Sequence, residues 1–322
     1  MLILLALAFE AGAEKAPSAG DVEKIRASPL FNLRSYRFDP KTALASRLGP
    51  APELVLTALK ELDGREDYRA YVPSKDEKAQ VIEVLGTLPA GMRRTLQRRL
   101  IGIYFIENFM GNGLAGWVKG KDDEVYAWLV INPVGFSRTV SETLTLRDGS
   151  LFKGAPGLSV DAGRKYRGIV YTVLHEGTHA YDYINRLTPY VDTTFAAAAL
   201  GGKPLGSDWD VWARYGEPRE GSSLPLRGKL KFYGLQGGPF LKSKDARPLY
   251  DALVNSPFAS LYGSQNWAED TADLVTFYHL TQVLKQPYRI NLKVHGGTFV
   301  YEPMRPSSKA LPRAQRLYER LR

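Results

Sequence analysis

Apolar residues recur every three to four positions over residues 52–62, 75–87 and 89–99, which predicts three helices opened by Pro52, Ser74 and Pro89. The pattern then changes. LIGIYFIEN, LAGWVKG and DEVYAWLVINP are continuous or alternating in apolar residues and rich in β-branched and aromatic types, which predicts strands. Helical character returns in GIVYTVLHEGTHAYDYINRL, residues 168–187, with Ile169, Val170, Val173 and Leu174 on one side of its centre and Ala180, Tyr183 and Ile184 on the other. Such a helix is expected to be buried along most of its length. A second helix is predicted within LYGSQNWAEDTADLVTFYHL, residues 261–280, and RINLKV and TFVYE flank His295-Gly296-Gly297 as hairpin arms.

Three stretches lack such periodicity. Residues 14–50 are polar, with Pro and Gly, and are expected to loop over the surface. Residues 201–247 carry nine glycines together with Trp209, Trp212 and Tyr233. A loop this long in a compact domain usually serves a function, and the expectation is a lid or a structural cover at a cleft mouth. From Pro306, Leu311, Leu317, Tyr318 and Leu321 among basic residues predict a docking helix interrupted near Pro312. No internal repeat is present.

The candidate chemistry lies in the buried helix, where His175-Glu176-Gly177-Thr178-His179 forms a His-Glu-x-x-His pattern. Histidines at i and i+4 lie about 40° apart in helical projection and one turn apart along the axis, so both rings can reach one metal ion. Glu176 then projects beside the open position of the ion and suits a base that takes a proton from water there. The chain holds only four histidines, so the pattern would arise by chance on the order of a few times in a thousand such chains. Two buried histidines and a glutamate also need partners, and a zinc ion supplies them.

A catalytic zinc of this type takes a third protein ligand, often a carboxylate. Glu269 and Asp273 stand at i and i+4 on the second helix, so one can bind the metal while the other accepts the N–H of a ligand histidine. The assignment is Glu269 as ligand and Asp273 behind a histidine, with Asp270 as the alternative ligand. Acids in the first turn of a helix are otherwise explained by the macrodipole. His279, ten residues beyond Glu269, is rotated well away from the ligand face and reads as a core or surface residue. His295 reads as a residue flanking a turn, with a reserve role as transition-state donor.

His-Glu-x-x-His followed by a helical Glu-x-x-x-Asp resembles the gluzincin metallopeptidases, the thermolysin-like clan. The pattern S-x-Y-x-x-x-N-x-x-E-D-x-A-D over residues 260–273 is similar to the lethal-factor-like branch of that clan. The resemblance covers about 35 residues in two blocks, and the segment between them, residues 180–268, is longer than in compact members. It implies an α+β, zincin-like fold, with a mixed helix and sheet lobe and a mainly helical lobe around the zinc. It casts Tyr262 as donor to the oxyanion or the leaving amine, and EVYAWLVIN, residues 124–132, as the sheet edge that pairs with extended substrate, with a plain interior strand as the alternative. The implied activity is that of a zinc-dependent endopeptidase acting on a peptide or protein.

Composition narrows this picture in a few respects. With 322 residues, 44% of them hydrophobic, the chain can bury one large core or two lobes around a cleft. The expected catalytic domain is 51–322, with lobes at about 51–186 and 187–322. The absence of cysteine excludes disulfides and thiolate ligands. The opening MLILLALAFEAGA pairs an apolar run with small residues and lacks a basic start, so residues 1–13 read weakly as a signal peptide. A secreted or periplasmic location follows as an expectation, with the cytoplasm as the alternative. No stretch is long enough to span a bilayer. The net charge of +9 suggests contact with anionic envelope polymers, although MRRTLQRRL is spaced as the polar side of one helix. No nucleic-acid-binding module accompanies the charge. Two other functions fit the motif: a zinc hydrolase of a non-peptide amide such as a cell-wall crosslink, and a scaffold protein retaining a structural zinc. A scaffold has no need of Glu176.

Overall fold

The computed structural model describes residues 19–121, 124–189 and 211–322. The signal-peptide reading of residues 1–13 and the first part of the 201–247 segment lie outside these residues. The chain is of mixed α and β composition and divides into two compact units, one drawn from Met1–Val134 and Glu176–Gly206, the other from Gly135–His175 and Ser207–Arg322. The units therefore interleave along the chain, whereas the sequence reading places lobes at about 51–186 and 187–322. Among the described residues no helix is long and apolar enough to cross a membrane.

The first unit opens with helix α1 (Ala19–Ala27), strand β1 (Leu48–Pro50) and helix α2 (Glu53–Asp63). Helix α2 buries Val55, Leu56, Ala58 and Leu59 and stops at Gly64. Strand β2 (Arg69–Ala70) leads into α3 (Lys75–Thr87). That helix starts with a capping box, in which the Ser74 hydroxyl accepts from the Glu77 N–H and the Glu77 carboxylate from the Ser74 N–H. Helix α4 (Ala90–Arg99) buries Met92 and Leu96, one turn apart, and leaves Arg93, Arg94 and Arg98 in water. The densest basic run of the chain is thus a solvated helix face.

Strands β3 (Leu100–Glu107), β4 (Gly113–Lys119) and β5 (Val125–Ile131) complete a five-stranded sheet of order β1-β3-β5-β4, with β2 also on β3. β1 and β5 run parallel to β3, and β4 runs antiparallel to β5. Of the two readings for residues 124–132 the interior strand holds and the substrate-binding edge is corrected: β5 lies between β3 and β4, and β4 ends the sheet among the described residues. The near-continuous apolar run of β5 is what burial on both faces demands. Its Trp128 ring lies across Gly116 of β4, where a Cβ would come within 2.1 Å of the indole. Residues 29–50 also differ from the expected surface loop. Leu30, Phe31, Tyr36 and Leu44 are buried, and Phe31 stacks on Trp117 at 4.3 Å. Apolar anchors separated by polar residues hold an irregular segment down without helical or strand periodicity.

In the second unit, α5 (Val140–Gly149) is capped by a second box, Thr139 with Glu142. Strands β6 (Phe152–Lys153) and β7 (Leu158–Asp161) follow, and then α6 (Gly168–Asn185), the motif helix, whose turns from Glu176 onward belong to the first unit. There Gly177 allows a close approach of α4, since a Cβ would sit 2.9 Å from the end of Met92. Strands β8 (Trp212–Arg214), β9 (Glu217–Pro218) and β10 (Leu241–Lys242) precede α7 (Ala246–Asn255) and α8 (Trp267–Tyr278). Strands β11 (Arg289–Val294) and β12 (Gly297–Tyr301) form the expected hairpin, and β7 joins β11 to make a three-stranded antiparallel sheet. The terminal α9 (Ala310–Glu319) runs unbroken through Pro312. This corrects the expected interruption: a proline in the first turn gives up an N–H that has no helical acceptor there.

His279 extends α8 into a π turn, is fully buried, and lies 2.6 Å from the Tyr318 hydroxyl of α9 through Nδ1. Desolvation lowers its pKa from 6.5 to about 4. The unfolded ring therefore takes up its proton near 6.5 and the folded ring only near 4. Stability from this group is complete above pH 6.5 and is lost as the pH falls toward 4, by up to about 3 kcal/mol. His279→Gln keeps a polar partner for Tyr318 without a titration. Its melting temperature is expected to fall less than that of the wild type between pH 7 and 4.5, and identical slopes would refute the assignment.

Candidate metal centre

Helix α6 carries His175 and His179 one turn apart, and α8 carries Glu269. One ligand atom from each of the three lies within 4.8 Å of the others. His175 Nε2 and Glu269 Oε2 are 3.0 Å apart, close to the roughly 3.3 Å separating two tetrahedral ligands of a metal held at 2.0–2.1 Å. His175 and Glu269 are buried and His179 is half-buried. Asn266 caps α8 by accepting the N–H of Glu269 at 2.9 Å, which fixes the first turn from which Glu269 projects.

The other nitrogen of His175 settles the ring's orientation. Nδ1 stands 3.0 Å from Asp273 Oδ1, so Asp273 accepts its N–H and turns Nε2 toward Glu269. Asp273 sits one turn beyond Glu269, which is why both reach the same ring. Burial opposes the charged form of His175, yet hydrogen bonds to Asp273 and Glu269 and their charges outweigh it and push the ring up to about 10. The donor set of two imidazoles and one carboxylate, all borderline or hard, fits a divalent ion such as zinc.

Asp273 is itself held from several sides. It accepts from Arg147 Nη1 of α5 at 3.0 and 3.3 Å, from the Tyr171 hydroxyl at 3.3 Å, and from the Ser260 hydroxyl. Burial works against its charge, but Arg147 and His175 hold the carboxyl below the usual aspartate range. Asp270, the alternative ligand, is engaged elsewhere. It accepts from the Trp212 indole N–H at 2.8 Å and from Arg313 of α9. One residue of helical rotation separates the two acids, and only Glu269 joins the ligand group.

Glu176 follows His175 on α6, is 7% exposed, and lies outside the three-residue ligand group. The ring of Tyr262 is centred 5.8 Å from that of His175. Phe232 meets it edge-on at 4.8 Å and Tyr233 at 6.4 Å. The described part of the 201–247 segment therefore contributes aromatic walls around Tyr262. Leu226, Tyr233 and Gln236 there have left-handed backbone, with φ of 57°, 56° and 52°, a conformation that in non-glycine residues clusters at functional sites. Asp182, one turn beyond His179, accepts from the N–H and hydroxyl of Thr188 at 2.6 and 2.7 Å. Burial pushes its carboxyl up to about 6. His279 sits against Tyr318, and His295 is exposed in the hairpin turn, so neither joins the ligand group.

Sequence reasoning missed Tyr171 and Arg147, and it quoted Ser260 only as the start of the 260–273 pattern, without its bond to Asp273. Tyr171 had a signal, since it stands four residues before His175 on the same helical face and its hydroxyl lies 3.5 Å from Nδ1. Arg147 had none, being 126 residues from Asp273. No family model, no characterised protein and no solved structure matches the chain.

Proposed function

We propose that the protein is a zinc-dependent endopeptidase of the gluzincin kind, with a zincin-like fold. The observation that carries this reading is the meeting of His175, His179 and Glu269, with Glu176 next to His175 on the same helix and outside the ligand group. The residues 260–273 that resemble the lethal-factor-like branch supply Glu269, the histidine partner Asp273, and Tyr262 near His175. A bound zinc would supply a Lewis acid for the scissile carbonyl and a water of lowered pKa.

The chain's own residues carry the rest of the reaction. Glu176 accepts the proton of the attacking water and returns it to the departing amine. Tyr262 donates its phenol hydrogen to the carbonyl oxygen as negative charge grows there. Asp273 keeps the His175 ring in one tautomer and one orientation. Burial of Glu176 and Glu269 strengthens each of these interactions by excluding water. Action outside the cytoplasm, on peptide or protein substrates and near anionic envelope polymers, accords with the basic charge and the lack of cysteine.

The test combines metal analysis with a peptide library. Purified protein is expected to hold about one zinc per chain and to cleave internal peptide bonds. Cleavage of purified wall polymer in place of peptides would turn the reading to a non-peptide amide hydrolase. Zinc without any hydrolysis would turn it to a scaffold. Within the peptidase reading, Tyr262→Phe removes one hydroxyl and keeps the ring between Phe232 and Tyr233. It is expected to lower kcat by on the order of 10²–10³ with KM near normal. A loss confined to KM would assign Tyr262 to substrate binding.

A further inference from the structure

Arg147 is buried without exposure in α5, and its charge lies between two equally buried anions. Its Nε donates to Asp148 at 2.8 Å, and Asp148 also accepts from the Tyr250 hydroxyl at 3.2 Å. Its Nη1 donates to both oxygens of Asp273 and, at 2.8 Å, to the Tyr171 hydroxyl. Among the described residues its Nη2 has no hydrogen-bond partner. The guanidinium carbon lies 5.0 Å from the centre of the Tyr262 ring and 5.4 Å from that of Tyr171. A buried ion pair of this kind is weak evidence for stability, because desolvation offsets most of the attraction, and an apolar replacement of the whole set would pack as well.

What the cluster does achieve is direction. Arg147 Nη1 spans both oxygens of Asp273, Ser260 donates to Oδ2 and Tyr171 to Oδ1, and the carboxylate so held presents Oδ1 to His175 Nδ1 at 3.0 Å. The same guanidinium lies under the ring of Tyr262. We propose that Arg147 is the positioning residue of this centre: through Asp273 it fixes the His175 ring for a divalent metal, and through its planar face it braces Tyr262. This role rests on the metallopeptidase reading, and it singles out arginine, since lysine has neither two separate nitrogens to hold Asp148 and Asp273 at once, as Nε and Nη1 do, nor the flat face that stacks on a ring.

The test measures zinc affinity by chelator competition in the full-length protein, with folding followed by circular dichroism. Arg147→Lys keeps the charge but cannot hold both carboxylates at once, and its zinc affinity is expected to fall on the order of tenfold. Arg147→Met combined with Asp148→Asn removes one cation and one anion together, which preserves the buried net charge should the single variant fail to fold. Its expected loss is on the order of 10–100-fold. When Asp273→Ala is already present, Arg147→Lys is expected to add less than about twofold, because the two act in series. At saturating zinc the Arg147→Lys chain should also show a lower kcat with KM retained. Unchanged affinity in a folded variant, or effects that multiply independently of Asp273, overturns the role of Arg147 and leaves the peptidase reading standing. Absence of zinc from the wild type removes both.

Discussion

Glu176→Gln is expected to leave zinc in place and remove nearly all turnover. The substitution is isosteric, lies beside His175 on α6, and touches a residue outside the ligand group. The helix and the ligand geometry therefore remain. A neutral amide cannot take the proton of the attacking water or return it to the amine, and loss of a general base costs about 10²–10⁴ in rate. The check pairs metal content with kcat on the best library peptide. Full zinc with kcat reduced by that factor supports Glu176 as base. Equal activity of the two proteins would sink the mechanism, and loss of zinc would make Glu176 a ligand.

His175→Ala and His179→Ala are each expected to abolish retention of zinc, but with different consequences for the fold. The His175 ring stands between Glu269 and Asp273, at 3.0 Å from each. Removing it leaves two buried carboxylates without the group they share, and breaking a buried charged pair costs about 3–5 kcal/mol. His175→Ala should therefore lower the melting temperature well below that of metal-free wild type. His179 is half-buried, and its loss should cost the metal with a smaller change in stability. Glu269→Ala should also lose the metal, while Asp273→Ala should weaken zinc binding by roughly 10–100-fold. Asp270→Ala should spare zinc and destabilise the protein, because Trp212 and Arg313 lose their acceptor. Full zinc in both histidine variants would show that the metal is held elsewhere.

Local spacing was enough to place most of the elements. The helices at Glu53–Asp63, Lys75–Thr87 and Ala90–Arg99, the three long strands and the hairpin at His295 stand within a residue or two of their sequence patterns. The same short range made the His175–His179 pair and the Glu269–Asp273 face legible, because i and i+4 are neighbours on any helix whatever surrounds it. Tertiary structure decided the rest. Which carboxylate meets His175 and which turns to Arg313 depends on how α8 is rotated against its neighbours. The interior place of β5, the anchoring of residues 29–50 and the smooth passage of α9 through Pro312 were likewise set by contacts with residues far away in sequence. Arg147 is the clearest case. A charged residue at full burial is stable only against specific opposite charges, and those at Asp273 and His175 come from other segments of the chain, so nothing local to α5 could announce it.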